Sequence, residues 1–121
     1  MNHTTEQNFW NLLDTLLTGA EIIIDRPKGS SHPRYPQIIY PLDYGYIKDT
    51  HASDNECIDV WLGSASDQKL DAIICTVDLG KRDTEMKLLV GCTEDEKSYI
   101  CTFYNELVNM GGILIKRYHN T

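Results

Sequence analysis

Apolar residues repeat with two different periods along the chain, and the change of period separates predicted helices from predicted strands. From residue 4 or 5 to about residue 17, apolar side chains recur three and four positions apart, which predicts an amphipathic helix that starts at a threonine cap. Gly19 is expected to end it. A second helix is predicted from Thr93, where acidic residues complement the helix dipole, to about residue 108, and Gly111-Gly112 is expected to close it.

Shorter runs rich in β-branched and apolar residues are typical of strands. The predicted strands are 20–24, 38–40, 43–47, 57–62, 70–77, 86–92 and 113–115. Segments 70–77 and 86–92 are predicted to form a pair joined by the polar connection 78–85, and 25–37 is predicted to be a polar, partly cationic loop. The order of helix, short strands, helix and strand favours a small barrel or a curved sheet with helices at its side.

The length and net charge of the chain limit the classes of protein to which it can belong. The 121 residues fit one domain, 1–121, with a core that needs no disulfide. A net charge of -7 argues against nucleic acid as a partner. No apolar run is long enough for a bilayer and no secretory signal is recognisable, so we expect a cytoplasmic protein without a membrane partner. The four scattered cysteines are expected to be buried free thiols.

Three carboxylates stand close together before the apolar run 60–62. They are Asp54, Glu56 and Asp59. Carboxylates this close raise one another's pKa unless a cation neutralises them, which suggests a hard divalent ion such as Mg²⁺. An extended segment would put Asp54 and Glu56 on one face, and Asp59 could join them only at a bend. Because acidic residues also stabilise ordinary turns, the spacing alone leaves both a metal site and a routine turn open.

Three separated segments together resemble one enzyme family. Positions 40–47 read YPLDYGYI and precede the acidic segment; positions 24–30 read IDRPKGS; positions 83–87 read DTEMK. The first of these, together with the acidic segment after it, resembles the Y-P-x-x-Y-G-[YF]-I run and the D-G-D-P-x-D turn of soluble family I inorganic pyrophosphatases. The second resembles the E-I-P-K-G-S segment of that family, and the third resembles its D…D-x-K segment. Several separated motifs that occur along the chain in the same order as in a family are stronger evidence for that family than any single motif.

The resemblance implies a mainly β fold, a five-stranded OB-like barrel with flanking N-terminal and C-terminal helices (α+β). It implies Mg²⁺-dependent hydrolysis of inorganic pyrophosphate, or of a related small phosphoanhydride, by a metal-activated water. The implied metal ligands are Asp54, Glu56, Asp59, Asp83, Glu85 and Asp25. Glu56 takes the family's general-base position, and Asp78 competes with Asp83 for the upstream acidic position.

The resemblance also implies phosphate-binding residues. Arg34, Tyr44 and Lys87 would contact phosphate oxygens as part of the catalytic set, and Lys28 and His32 are further candidates. Each has a simpler explanation, since loop cations are often surface charge, a lysine at a strand edge is usually solvated, and alternating tyrosines are often core aromatics.

The chain departs from the family mainly on the phosphate side. A hairpin with a phosphate-binding arginine is missing, Pro36 stands where an acidic residue is expected, and Asn105 follows Tyr104 in place of a lysine. A module that binds a phosphorylated ligand without catalysis is therefore a second hypothesis. A third is an interaction domain that uses the apolar stripe of the first helix. Monomer and homo-oligomer both stay open.

Overall fold

The computed structural model describes residues 4–117 and consists of two helices and six strands. The elements in chain order are helix α1 (Thr5–Leu17), strands β1 (Ile22–Arg26), β2 (Asp43–Ile47), β3 (Asp59–Leu62), β4 (Leu70–Asp78) and β5 (Asp83–Val90), helix α2 (Glu94–Thr102), and strand β6 (Gly111–Lys116). A π-helical turn, Phe103–Leu107, continues α2. Both helices begin with a capping box, in which Thr4 or Thr93 bonds the backbone of the residue three positions on.

The strands form one mixed sheet in the order β1-β2-β3-β5-β4-β6. All neighbours are antiparallel except β3 and β5, which run parallel with Val60 opposite Leu88. Since parallel strands start at the same edge of the sheet, this register places Asp59, at the start of β3, beside Lys87 of β5.

Adjacent residues of a strand point to opposite faces, so the sheet has two cores. Val60 faces α1 and packs with Trp10 and Leu13. Trp61 faces α2 and the π-helical turn, where it packs with Ile100 and the rings of residues 103 and 104. The two helices therefore cover opposite faces, and the sheet between them is buried at its centre.

The prediction of a mainly β fold with two helices is confirmed, but the predicted five-stranded barrel is not. The sheet has six strands and is open, because β1 and β6 lie at its two edges and do not pair with each other in the part of the chain described here. The predicted strand at 113–115 is confirmed, although Gly111-Gly112 begins that strand as well as following the helix.

The strand predicted at 38–40 is wrong. Only a single bridge joins Ile39 to Ser31, and Ile39 is exposed. Pro36 lies just before it and Pro41 just after it, and proline has no N–H for a strand ladder. This segment instead folds back on residues 29–32 of the same loop, where the amide of Gly29 donates to the Tyr40 carbonyl, and it carries Tyr40 into the core on the α2 side.

Candidate functional site

Lys87 is the centre of a polar cluster at the end of the core on the α2 side. Its ammonium donates hydrogen bonds to Asp59 Oδ2 and Glu85 Oε2, both at 2.7 Å, and to the Tyr44 hydroxyl at 2.9 Å. Only 5% of Lys87 is exposed. The structure thus brings together four residues that the sequence predicted for the site, from three neighbouring strands.

The sheet register explains this convergence. Tyr44 of β2 lies opposite Trp61 of β3, two residues after Asp59, and side chains two apart in a strand share a face. Glu85 and Lys87 share the same face of β5 in the same way. Four polar residues on adjacent strands therefore project toward one point of the α2 side.

The electrostatic environment keeps Lys87 charged. Burial acts to lower its pKa, but the oxygens of Tyr104, Tyr44 and Asp59 outweigh burial, and the pKa of Lys87 is raised. Burial is the largest cause of the raised pKa of Tyr44. Its hydroxyl therefore stays protonated, and because the oxygen accepts from Lys87, the proton remains available to a ligand oxygen.

The acidic segment folds as a tight turn instead of an extended strand. The amide of Asn55 donates to the Ala52 carbonyl at 2.9 Å, and Asn55 has a positive φ of 69°. Asp54 Oδ1 accepts the amide of Glu56 at 3.0 Å, which is the turn-stabilising role that the spacing had left open. Glu56 is exposed and does not line the depression that contains Asp54 and Asp59.

A surface depression of about 270 Å³ lies beside the turn. Its lining includes three of the predicted metal ligands, Asp54, Asp59 and Glu85, together with His51 and Cys57. Oxygen donors of this kind suit a hard divalent cation.

The carboxylate oxygens of this depression are suitable ligands for Mg²⁺, but their side chains are not positioned to bind one ion together. Within residues 4–117 no three His, Cys, Asp or Glu side chains are placed to hold a metal ion together. Asp59 and Glu85 each give one oxygen to Lys87, and the second oxygen of each accepts no hydrogen bond from the described residues. A cation would have to share both carboxylates with Lys87.

The other predicted ligands lie outside this depression. Asp25 is exposed, next to a β-bulge of β1. Asp83 pairs with Asp78 at the start of the β4–β5 hairpin. Asp78 Oδ1 accepts the amide of Gly80 at 2.9 Å, so Asp78 has a structural task in the hairpin turn.

Of the predicted phosphate contacts in the loop before β2, only His32 lies against aromatic rings in the part of the chain described here. His32 stacks on Tyr40, with ring centroids 6.0 Å apart and an interplanar angle of 5°. His32 Nδ1 accepts the amide of Arg34 at 3.1 Å, while the amide of Lys28 donates to Asp43 Oδ1 at 2.8 Å. The side chains of Lys28 and Arg34 are exposed.

Arg26, which the site prediction omitted, contacts this loop, and the charge of a second omitted cation, Lys81, acts on the loop histidine. The guanidinium of Arg26 donates to the Tyr40 hydroxyl and lies 5.5 Å from the centre of the Tyr40 ring. Partial burial, and then the charges of Arg26, Arg34 and Lys81, lower the pKa of His32. Arg26 could have been suspected from its place beside the lysine of the IDRPKGS segment, whereas nothing in the sequence linked Lys81 to this loop.

Comparisons with known proteins show that the fold of this chain is similar to that of a solved structure. No protein-family model and no curated protein matches the chain. Among solved structures, the chain is similar to the inorganic pyrophosphatase of the bacterium Helicobacter pylori, with a TM-score of 0.51 and 15% sequence identity. The match covers 78% of this chain and 81% of that one. In the described part of this chain, no helix has the length and apolar character needed to cross a membrane.

Proposed function

We propose that this protein hydrolyses inorganic pyrophosphate, or a related small phosphoanhydride, with the help of Mg²⁺. The observation that carries the proposal is the Lys87 cluster: a buried ammonium and a protonated tyrosine lie beside a depression lined by three carboxylates. The likeness of fold to an inorganic pyrophosphatase supports the same reaction class.

The chain's own residues would divide the work between charge neutralisation and positioning. Lys87 would provide positive charge for a phosphate oxygen when the divalent cation binds its carboxylate partners Asp59 and Glu85, and Tyr44 would donate its hydroxyl proton to the same or the next oxygen. Arg34, Lys28 and His32 would bind the second phosphoryl group from the loop before β2.

The carboxylates of the depression would act on the phosphoryl group that the loop cations do not bind. Asp54, Asp59 and Glu85 would hold the divalent cation, which when bound neutralises phosphate charge and lowers the pKa of a coordinated water. Glu56, which lies in the turn outside this depression, is the proposed acceptor of the water's proton because the resemblance gives it the family's general-base position. Asp83 and Asp25 would act from outside this group, as supplementary ligands.

The direct test is phosphate release from pyrophosphate by the purified chain with Mg²⁺. We expect turnover, and we expect Asp59→Asn to reduce it by about 100-fold or more, since this change removes a metal-binding charge while keeping the side-chain shape. Asp67→Asn is the matched control, because Asp67 is exposed and, among residues 4–117, forms an ion pair only with Lys69. Thermal melts check that each variant is folded. No phosphate release from pyrophosphate, tripolyphosphate or nucleoside triphosphates would refute the proposal.

A second candidate function is metal-assisted binding of a phosphorylated ligand without hydrolysis. It is favoured by the position of Lys87, whose ammonium already forms ion pairs with both Asp59 and Glu85. Calorimetry that shows tight pyrophosphate binding without any phosphate release would select this function over the first.

A further inference from the structure

Trp61 links the Lys87 cluster to the end of the second helix. Its ring centre lies 4.6 Å from that of Tyr44, whose hydroxyl accepts a hydrogen bond from Lys87 at 2.9 Å. Trp61 is fully buried, so its indole N–H needs an acceptor inside the protein. That acceptor is the hydroxyl of Tyr104, at 3.1 Å. Neither Trp61 nor Tyr104 has a task in the hydrolysis proposed above.

Tyr104 is itself held in place by an uncommon piece of helix. It belongs to the π-helical turn Phe103–Leu107. Asn105 ties this turn to β6, since its Nδ2 donates to the Gly112 carbonyl and its Oδ1 accepts the Gly112 amide, both at 3.0 Å. Single π-helical turns are rare, and they occur frequently at functional sites. The position of the Tyr104 hydroxyl is therefore set by two elements of the fold.

The packing of the rings sets the orientation of Tyr44. Trp61 lies opposite Tyr44 in the pairing of β2 with β3, and it is the closer of two ring neighbours, since Tyr40 lies 5.7 Å away. On its other side Trp61 meets the ring of Phe103 edge-on, with centroids 5.4 Å apart. Because a tyrosine hydroxyl is at the far end of the ring, a small rotation of the Tyr44 ring would move its hydroxyl away from Lys87.

The Tyr104 hydroxyl is placed to hold Trp61, not to bind a ligand. Tyr104 is buried and does not line the carboxylate depression. Burial is the largest cause of its raised pKa, so the hydroxyl stays neutral while it accepts from the indole.

We propose that Trp61 and Tyr104 are positioning residues, which fix the ring of Tyr44 in the orientation that presents its hydroxyl to a phosphate oxygen. Tyr104 holds Trp61 by a hydrogen bond, and Trp61 holds Tyr44 by ring packing. That the ligand is a phosphate rests on the proposed function.

A purely structural role for the Trp61–Tyr104 hydrogen bond is the alternative. In that role it satisfies a buried N–H and stabilises the core without affecting Tyr44. The two roles differ in one respect: a positioning effect requires the Tyr44 hydroxyl, whereas a loss of core stability does not.

The kinetic test is a double-mutant cycle on kcat/KM for pyrophosphate with Mg²⁺. Tyr104→Phe removes the acceptor and keeps the ring, and we expect it to lower kcat/KM about fivefold, since misplacing a donor costs less than removing it. In the Tyr44→Phe background the same change should have an effect of less than about 1.5-fold. Tyr99→Phe, an exposed hydroxyl of α2, is the control and should have no effect in either background.

The second measurement does not depend on turnover. In NMR spectra of the full chain, Tyr104→Phe should shift the indole N–H resonance of Trp61 and, with it, the ring resonances of Tyr44, whereas Tyr99→Phe should shift neither. Thermal melts check that each variant is folded. If Tyr104→Phe does not fold, Trp61→Phe, which removes the donor, replaces it in both measurements.

The outcomes separate this proposal from the proposed function. An unchanged kcat/KM in Tyr104→Phe, an equal loss in the wild-type and Tyr44→Phe backgrounds, or unshifted Tyr44 resonances would each overturn the positioning role and leave the hydrolase standing. Absence of turnover in the wild-type chain would refute the hydrolase. The NMR result would then decide alone whether Trp61 and Tyr104 position Tyr44.

Discussion

The ammonium of Lys87 lies 2.7 Å from Asp59 Oδ2, across the parallel pairing of β3 with β5. The same ammonium binds Glu85 at the same distance. We expect Lys87→Met to leave two carboxylates facing each other without a cation, and therefore to lower the free energy of unfolding by about 2 kcal/mol; this is below the cost for a fully buried pair because both carboxylates are about one-third exposed. Urea denaturation measures the change.

The Lys87→Met variant also reports on metal affinity. Carboxylates that have lost their ammonium gain from a divalent cation, so adding Mg²⁺ should raise the Tm of this variant more than that of the wild type. Lys69→Met, which removes an exposed lysine paired with Asp67, should show the wild-type response. Equal Mg²⁺ responses in all three proteins would mean that the depression does not attract the cation.

Tyr44→Phe isolates the role of one hydroxyl. The ring would keep its packing on Trp61, whose centroid is 4.6 Å away, so stability should fall by no more than about 1 kcal/mol. Phosphate binding would lose a donor, and we expect kcat/KM for pyrophosphate to fall about tenfold. Tyr99→Phe, at an exposed position of α2, is the control and should leave both quantities unchanged. A Tyr44→Phe variant with full activity would remove this hydroxyl from the mechanism.

Gly45 is required by the close approach of β1 and β2. A Cβ at this position would lie 1.8 Å from the carbonyl oxygen of Ile23, which is backbone and cannot move aside. We expect Gly45→Ala to cost about 3 kcal/mol in the free energy of unfolding, because the two strands must separate. Gly111→Ala, at the start of β6, meets no atom within 4 Å and should be tolerated. Similar denaturation midpoints for the two variants would contradict this account.

The pH dependence of stability should reflect Glu94. Hydrogen bonds from Lys97 and Lys116 lower the pKa of Glu94 from 4.5 to about 2. Because the folded-state pKa is the lower one, this contribution is complete above pH 4.5 and is lost as the pH falls toward 2. We expect Glu94→Gln to lose less stability than the wild type between these pH values. Glu106→Gln, without an ion pair in the described chain, should follow the wild type.

Local signals in the sequence predicted most of the elements. The helix expected from residue 4 or 5 is α1, Thr5–Leu17, because a threonine cap and an apolar stripe are contained within one short segment. Strand 43–47 has the predicted bounds, and the strands around it are shifted by a few residues. Sheet closure could not be predicted in this way, since it depends on which distant strands pair, as β3 does with β5.

The candidate site was predictable where the resemblance supplied it and not elsewhere. Asp59, Glu85, Lys87 and Tyr44 converge in the structure, although the metal role assigned to the carboxylates stays a prediction. The effect of the Lys81 charge on the pKa of His32 had no sequence signal, because it results from the folding of two loops about 50 residues apart. Such juxtapositions belong to the tertiary structure alone.

The parallel pairing of β3 with β5 also has a kinetic consequence. The β4–β5 hairpin closes through a short turn, whereas Asp59 and Lys87 are 28 positions apart in the chain and meet only when β3 adds to that hairpin. Because longer loops cost more entropy to close, we expect β3 to dock late in folding. Asp59→Asn should then accelerate unfolding more than it slows folding. The carboxylate depression is thus expected to assemble only after the β4–β5 hairpin has formed, so its integrity reports on the docking of β3.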